Sequence, residues 1–374
     1  MASNGFKEIC RITIMLHHGL TPNALTLIEK IGVKSVLVES ARTVRLFEKS
    51  SILDWMPWSN NTDDSPTDIL RFTTPSDIGE KVLISLAKAL ELKTPGRGSI
   101  YAQTLMELGH REMHSIVAPD ESVGTIFHDL TMITGIQTKN GRGEEISTVA
   151  LQLGVGVPTV GIGKGTGVRD RLGLLRITIS PEKELTYLMV PSYDANGLQN
   201  LLIKKGKLNK PGGGFIYQTP IRVGLADPLL RIGHQEHTAS MEQVIAAIDE
   251  LKAGTSWRKR QFDGDASHLP EKTNYTHKEI SFICPADHSD DYVHAAMEVG
   301  AAGATMTSLH CIEFDKENAE NNNTLYENAI MCVPQNLEEK VIEAILRVAE
   351  EKGETDWFIQ SIPASSIYAT YTKK

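Results

Sequence analysis

An α+β chain of three tandem β-α-β-β-α-β units is what this sequence predicts, and three recurrences predict it. An apolar helix end runs through glycine into a β-rich stretch at IEKIGVKSVLVES (28–40), LQLGVGVPTVGIG (151–163) and MEVGAAGATMTSL (297–309). A strand closes on proline before a helix at ILRFTTPSD (69–77), TYLMVPSYD (186–194) and AIMCVPQNL (329–337). A glycine turn enters an aromatic-bearing strand at PGRGSIYAQT (95–104), PGGGFIYQTP (211–220) and KGETDWFIQSIP (352–363). Three kinds of match, in one order and in three places, are more than composition supplies by accident.

Each element has a local cause. Strands are expected at the head of each unit, at 9–16, 130–138 and 279–285, each followed by a helical run at 23–31, 144–153 and 289–299. Gly32, Gly154 and Gly300 suit the position after a helix end, where left-handed backbone is needed. Proline tolerates the end of a strand because it has no N–H to give a ladder, and Ser76 or Asn336 is placed to cap the next helix. The helices EKVLISLAKAL (80–90) and EKVIEAILRVA (339–349) space their apolar residues by three and four, so each buries one face. This order is the split βαβ arrangement of a ferredoxin-like fold, an antiparallel sheet with both helices on one face. Three such units are expected to close around a pseudo-threefold axis with their sheets inward, which covers the open strand edges.

Variable loops separate the second and third strands. They fall at 50–66 with Trp55 and Trp58, at 163–173, and at 315–324. The expected boundaries are unit one at 1–106, a linker at 107–127, unit two at 128–223, a linker with a helix (241–252) at 224–275, and unit three at 276–374.

Composition narrows the function classes. A formal net charge of −9 over 374 residues argues against a general nucleic-acid surface, which needs clustered Lys and Arg. Four cysteines without CxxC spacing suit buried thiols in a reducing compartment. Residues 1–20 lack a signal-peptide pattern, and the stretch 149–163 falls short of the ~20 apolar residues of a membrane helix. A cytoplasmic protein without a membrane span is expected.

Glycine marks the candidate sites. Gly163, Gly165 and Gly167, with Gly212, Gly213 and Gly214, form two clusters whose amides can turn toward an anion. Lys164, Arg169 and Arg171 offer positive charge beside them, and Thr166 a hydroxyl. Gly96 and Gly98, flanking Arg97, form a second candidate; tight turn geometry alone is the alternative for all of them. The segments Gly109-His110-Arg111-Glu112 and Gly233-His234-Gln235-Glu236-His237 bring His and Glu together, which suits Zn²⁺ or proton transfer, or merely a polar helix-starting turn. His17, His18, His288 and His294 are expected to be surface or satisfied polar residues. No nucleophile elbow, Walker loop or Ser/His/Asp pattern occurs, so no catalytic residue is assigned.

With these residues in place, the chain resembles the PII signal-transduction proteins, trimers that bind adenine nucleotides between subunits and signal through a mobile loop. The segment GKGTGVRDRLGLLRITISPEKELTYLMVP (163–191) carries the resemblance most specifically, looking like the family's short-loop branch. The resemblance implies a non-enzymatic regulator of the nitrogen-regulation type, with ATP, ADP or AMP as effector and no obligatory cofactor. It also implies a monomer, because one chain already carries three units, and a protein target or transporter as partner. The place of the family's phosphate-binding lysine holds Ser99 and Phe215, and the modifiable tyrosine and the glutamine for 2-oxoglutarate have no counterparts here. The rival reading on the same scaffold is a metal-binding protein like the CutA group, or a slow nucleotide hydrolase. A Gly213→Trp change is expected to abolish nucleotide binding while sparing the fold.

Overall fold

The computed structural model describes residues 5–46, 62–109, 116, 126–138, 141–154, 156–167, 182–210, 213–227, 275–314 and 323–369. It is a mixed α and β structure, organised on one large antiparallel sheet with helices packed against it. One element order occurs three times. It begins with β1 (Lys7–His17), α1 (Thr21–Lys30), β2 (Ser35–Leu46), β3 (Thr62–Thr74), α2 (Gly79–Ala89) and β4 (Gly98–Gly109). Next come β5 (Leu130–Gln137), α3 (Arg142–Leu153), β6 (Thr159–Gly167), β7 (Glu182–Pro191), α4 (Ser192–Lys205), β8 (Gly214–Ile221) and the short β9 (Val223–Leu225). Last are β10 (His277–Pro285), α5 (Ser289–Glu298), β11 (Gly303–Glu313), β12 (Asn323–Pro334), α6 (Glu338–Lys352) and β13 (Phe358–Ala369).

Within each stretch the strands lie side by side in the order fourth, first, third, second: β4-β1-β3-β2, β8-β5-β7-β6 and β13-β10-β12-β11. The stretches join through two rings of pairing. In the first ring the opening half of each second strand pairs with the closing half of another second strand. Val36 faces Ile312, Ala304 faces Thr166, and Val160 faces Arg42. In the second ring the fourth strands do the same, with Ile359 opposite Leu108, Ile216 opposite Tyr368, and Tyr101 opposite Gly224 in β9. Strand edges that would otherwise invite foreign partners are thereby paired within the chain.

The burial pattern follows from strand alternation. One face of each four-strand group packs on its own two helices, giving three separate apolar clusters around Leu83, Phe282 and Leu198. The opposite faces meet centrally, where Met15, Tyr101, Met132, Tyr187, Met189 and Ile330 form a shared cluster drawn from all three stretches. Polar groups share this centre. Arg11 donates to Gln360 (3.0 Å) and Gln103 (2.8 Å), Gln360 donates to Glu107 (2.7 Å), and the Tyr217 hydroxyl donates to Glu279 (2.8 Å). Arg71 bonds Glu39 at 2.6 Å and lies over the Tyr187 ring at 5.8 Å. Burial, and then the charge of Glu279, push the Tyr217 phenol well above its usual range, so it stays a neutral donor.

The helix-end glycines take the expected backbone: Gly32, Gly154 and Gly300 have φ of 90°, 68° and 118°. Pro191 and Pro334 close β7 and β12, and Pro75 follows β3. Two local expectations fail. Ser76 and Asn336 are not caps: α2 and α6 begin after Ile78 and Leu337 with no side-chain cap bond, because a short turn intervenes between proline and helix. The first variable loop is also shorter than its composition suggests. β2 and β3 stay paired out to Leu46 and Thr62, so the polar run Asp64-Ser65-Pro66 is strand. Pro66 is tolerated because β1 stops pairing at Thr67, which leaves Pro66 at an edge. Trp55, Trp58 and the helix expected at 241–252 lie outside the described residues.

Candidate functional site

The turns that lead into the fourth strands are the best-defined candidates, and two of them share one construction. In the first, Leu92 N–H bonds Ala87 carbonyl, Thr94 bonds Glu91, and Arg97 bonds Thr94. In the second, Leu208 bonds Ile203, Lys210 bonds Lys207, and Gly213 bonds Lys210. Glu91 and Lys207 occupy matching left-handed positions, with φ of 53° and 56°. The two turns superpose residue for residue in this bonding, which aligns Gly96 with Gly212, Arg97 with Gly213 and Gly98 with Gly214. Gly98 and Gly214 are glycines for a steric reason: a Cβ on either would lie 2.1 Å from Met15 carbonyl or 2.3 Å from Ile136 carbonyl, at φ of +133° and +134°.

The Gly96 amide is spent differently from its neighbours. At φ of 79° it turns out of its own loop and donates to the Asp227 carboxylate at 2.8 Å. Asp227 arrives from 131 residues away, two positions past Leu225, which pairs with Ile100. A carboxylate of the second stretch therefore sits on the glycine turn of the first. Arg97 is turned back on its own loop, its Nε donating to Leu90 carbonyl at 2.8 Å. Nothing in the sequence around Leu225-Ala226-Asp227 marks this aspartate, because its role is set by a distant partner.

The third turn is chemically unlike the other two. It is shorter, and Gly353 caps α6 at φ of 66°. Glu354 accepts from the Tyr292 hydroxyl and pairs with His288 at 2.8 Å, while Asp356 accepts from Tyr326 at 2.6 Å. Two carboxylates held in place there oppose a further anion.

The glycines of 163–167 are not a loop. They lie in β6, where Gly163 pairs with Lys183 and Gly165 and Gly167 pair with Thr305 and Gly303. Their alternation serves close packing. A Cβ at Gly161 would meet Glu39 at 2.7 Å, one at Gly163 would meet Met306 carbonyl at 2.7 Å, and one at Gly165 would meet the Lys183 chain at 2.4 Å. An anion-binding nest needs successive amides free of a ladder, and here the strand consumes them. Nor does the second stretch bring its two glycine clusters together: Gly214, Gln137, Glu184 and Ile162 form one row across four strands, roughly 14 Å from end to end. Lys164 remains exposed on the outer face of β6, with Thr166 half-buried beside it.

Gly213 also differs from its expected role. A Cβ there would come within 2.7–2.8 Å of the backbone of Lys207 and Leu208, so Gly213→Trp would disturb the turn rather than spare the fold. Arg169, Arg171, Gly212 and the two Gly-His segments beyond Gly109 lie outside the described residues. Among the described residues no group of three His, Cys, Asp or Glu could hold a metal ion, and no helix is long and apolar enough to cross a membrane. His18 is exposed, its Nδ1 2.7 Å from the buried Asp68, which also accepts from the Thr21 hydroxyl at 2.5 Å. Cys10, Cys284 and Cys311 are buried free thiols and Cys332 is half-buried; burial raises the pKa of Cys284 and Cys332.

No family model and no curated protein matches the chain. Among solved structures it is similar to an aspartate kinase from Synechocystis, at 7% identity and a TM-score of 0.21, over 95% of this chain and 44% of that one. The chain thus spans less than half the length of that kinase, and a likeness of this size carries no argument about fold or activity.

Proposed function

We propose that this chain is a PII-like regulatory protein, without catalytic activity of its own, that senses an anionic small molecule, an adenine nucleotide, at the seams between three ferredoxin-like units. On this reading the units at 1–106, 128–223 and 276–374 imitate a trimer within one cytoplasmic polypeptide. The two rings of second- and fourth-strand pairing support a pseudo-threefold arrangement. A closed ring of this kind leaves no symmetric edge to recruit further copies, so the chain acts as a monomer.

The observation that carries the reading is the bond from Gly96 to Asp227. It sets a negatively charged group on the backbone of a glycine turn, at the junction of two units, in the type of position where the resemblance implies that a phosphate is held. The third turn, with Glu354 and Asp356, supports unequal seams and fewer than three ligands per chain.

Isothermal calorimetry with ATP, ADP and AMP tests this directly. Saturable binding below three equivalents, by a species that light scattering shows to be one chain, is the expected result. No heat from any of the three at millimolar concentration, with the wild-type chain or with one lacking the Asp227 carboxylate, would sink the nucleotide reading. Retention of a transition metal after purification would favour the metal-binding rival instead.

A further inference from the structure

We infer that Asp227 is a built-in competitor for the glycine turn of the first unit, an internal carboxylate that an incoming phosphate must displace. The inference rests on the anion-sensing reading above and concerns how that site is regulated.

The Gly96 amide is spent outside the turn. Thr94 and Arg97 spend theirs on carbonyls inside the turn, whereas Gly96 faces outward at φ of 79° and finds the carboxylate at 2.8 Å. Two features make Asp227 a competitor rather than a passing surface contact. First, the antiparallel register of β9 on β4, ending at Leu225 opposite Ile100, delivers it to the turn with little chain entropy left to lose. Second, its charge is the sign that a phosphate carries, so the two cannot share the position without repulsion. Tethering lets the acceptor compete without a second molecule. The ligand is weakened by the ratio in which the closed Gly96–Asp227 bond is populated over the open one, so a tenfold preference for the closed form weakens it tenfold. Because Asp227 stands two residues beyond β9, on the segment that leaves the second unit, ligand entry at this seam would loosen a bond between the first unit and that segment, which gives the site a means of reporting occupancy.

The test compares wild type, Asp227→Asn and Asp227→Ala in calorimetric titrations with ADP and with inorganic phosphate. Thermal melting of each protein verifies the fold. Asp227→Ala is expected to bind ADP at least tenfold more tightly than wild type. Asp227→Asn, which keeps an acceptor oxygen but loses the charge, should fall between them. If wild type binds ADP and neither variant binds it more tightly, the competitor is refuted while nucleotide sensing stands. If no protein binds ADP or phosphate, both fall. If only the variants bind, the competitor is upheld and the seam of the first unit is located as the site.

Discussion

Two glycine-rich stretches, alike in sequence, do opposite things. In β6 Gly163 is glycine because the Met306 carbonyl of the neighbouring strand leaves no room for a methyl group, while Gly161 and Gly165 lie under the Glu39 and Lys183 side chains. In the turn at 92–98, Gly96 is glycine because its backbone is left-handed, and that geometry frees one amide for a carboxylate. One stretch lies within strand ladders, to β2 and β7 and then to β11; the other presents an amide across a seam. Glycine density therefore says nothing about anion binding until the partner of each N–H is known. In β6 the partners are strands, and in the turn the partner is an acid.

Gly163→Val breaks the comparison most severely. Valine favours a strand by propensity, so the cost is steric alone: its Cβ meets the Met306 carbonyl at 2.7 Å, a backbone atom of the neighbouring strand. A loss of about 3 kcal/mol, or failure to fold, is expected in urea denaturation. A stable Gly163→Val protein would mean that β6 does not run between β7 and β11 as described. Gly96→Ala is milder, a strain of about 1 kcal/mol from its positive φ, visible as a lower melting temperature with the fold kept. Ile162→Thr has the smallest effect. It keeps a β-branched residue on the outer face of the same strand, where Ile162 is 62% exposed, and should shift stability by no more than ~0.5 kcal/mol. A large loss there would reveal that this face is covered.

Much of the architecture was legible in the chain. Helix-end glycines, strand-end prolines and helical spacing are local signals, fixed by the φ each residue tolerates and the N–H it has or lacks, and the observed elements begin and end within a few residues of them. Half of the candidate site was legible as well. The motif PGRG at 95–98 pointed to a turn with free backbone, and its likeness to 211–214 extends to matching hydrogen bonds. The other half was not, since Asp227 acquires its meaning only through the β4–β9 register. The polar run at 64–66 misled for a related reason: pairing with β2 holds it in a strand that its own composition disfavours.

What the sequence determined by itself is thus the repeated order of elements and the places where the backbone must turn, because these depend on neighbours a few residues apart. Tertiary structure alone decided which strands close the two rings, that the glycines of β6 are packed rather than free, and that the acid on the first turn comes from the second stretch. Each of these depends on contacts between residues far apart in the chain, made only when β2, β6 and β11, and likewise β4, β9 and β13, are brought edge to edge. No local preference encodes which edge will be met.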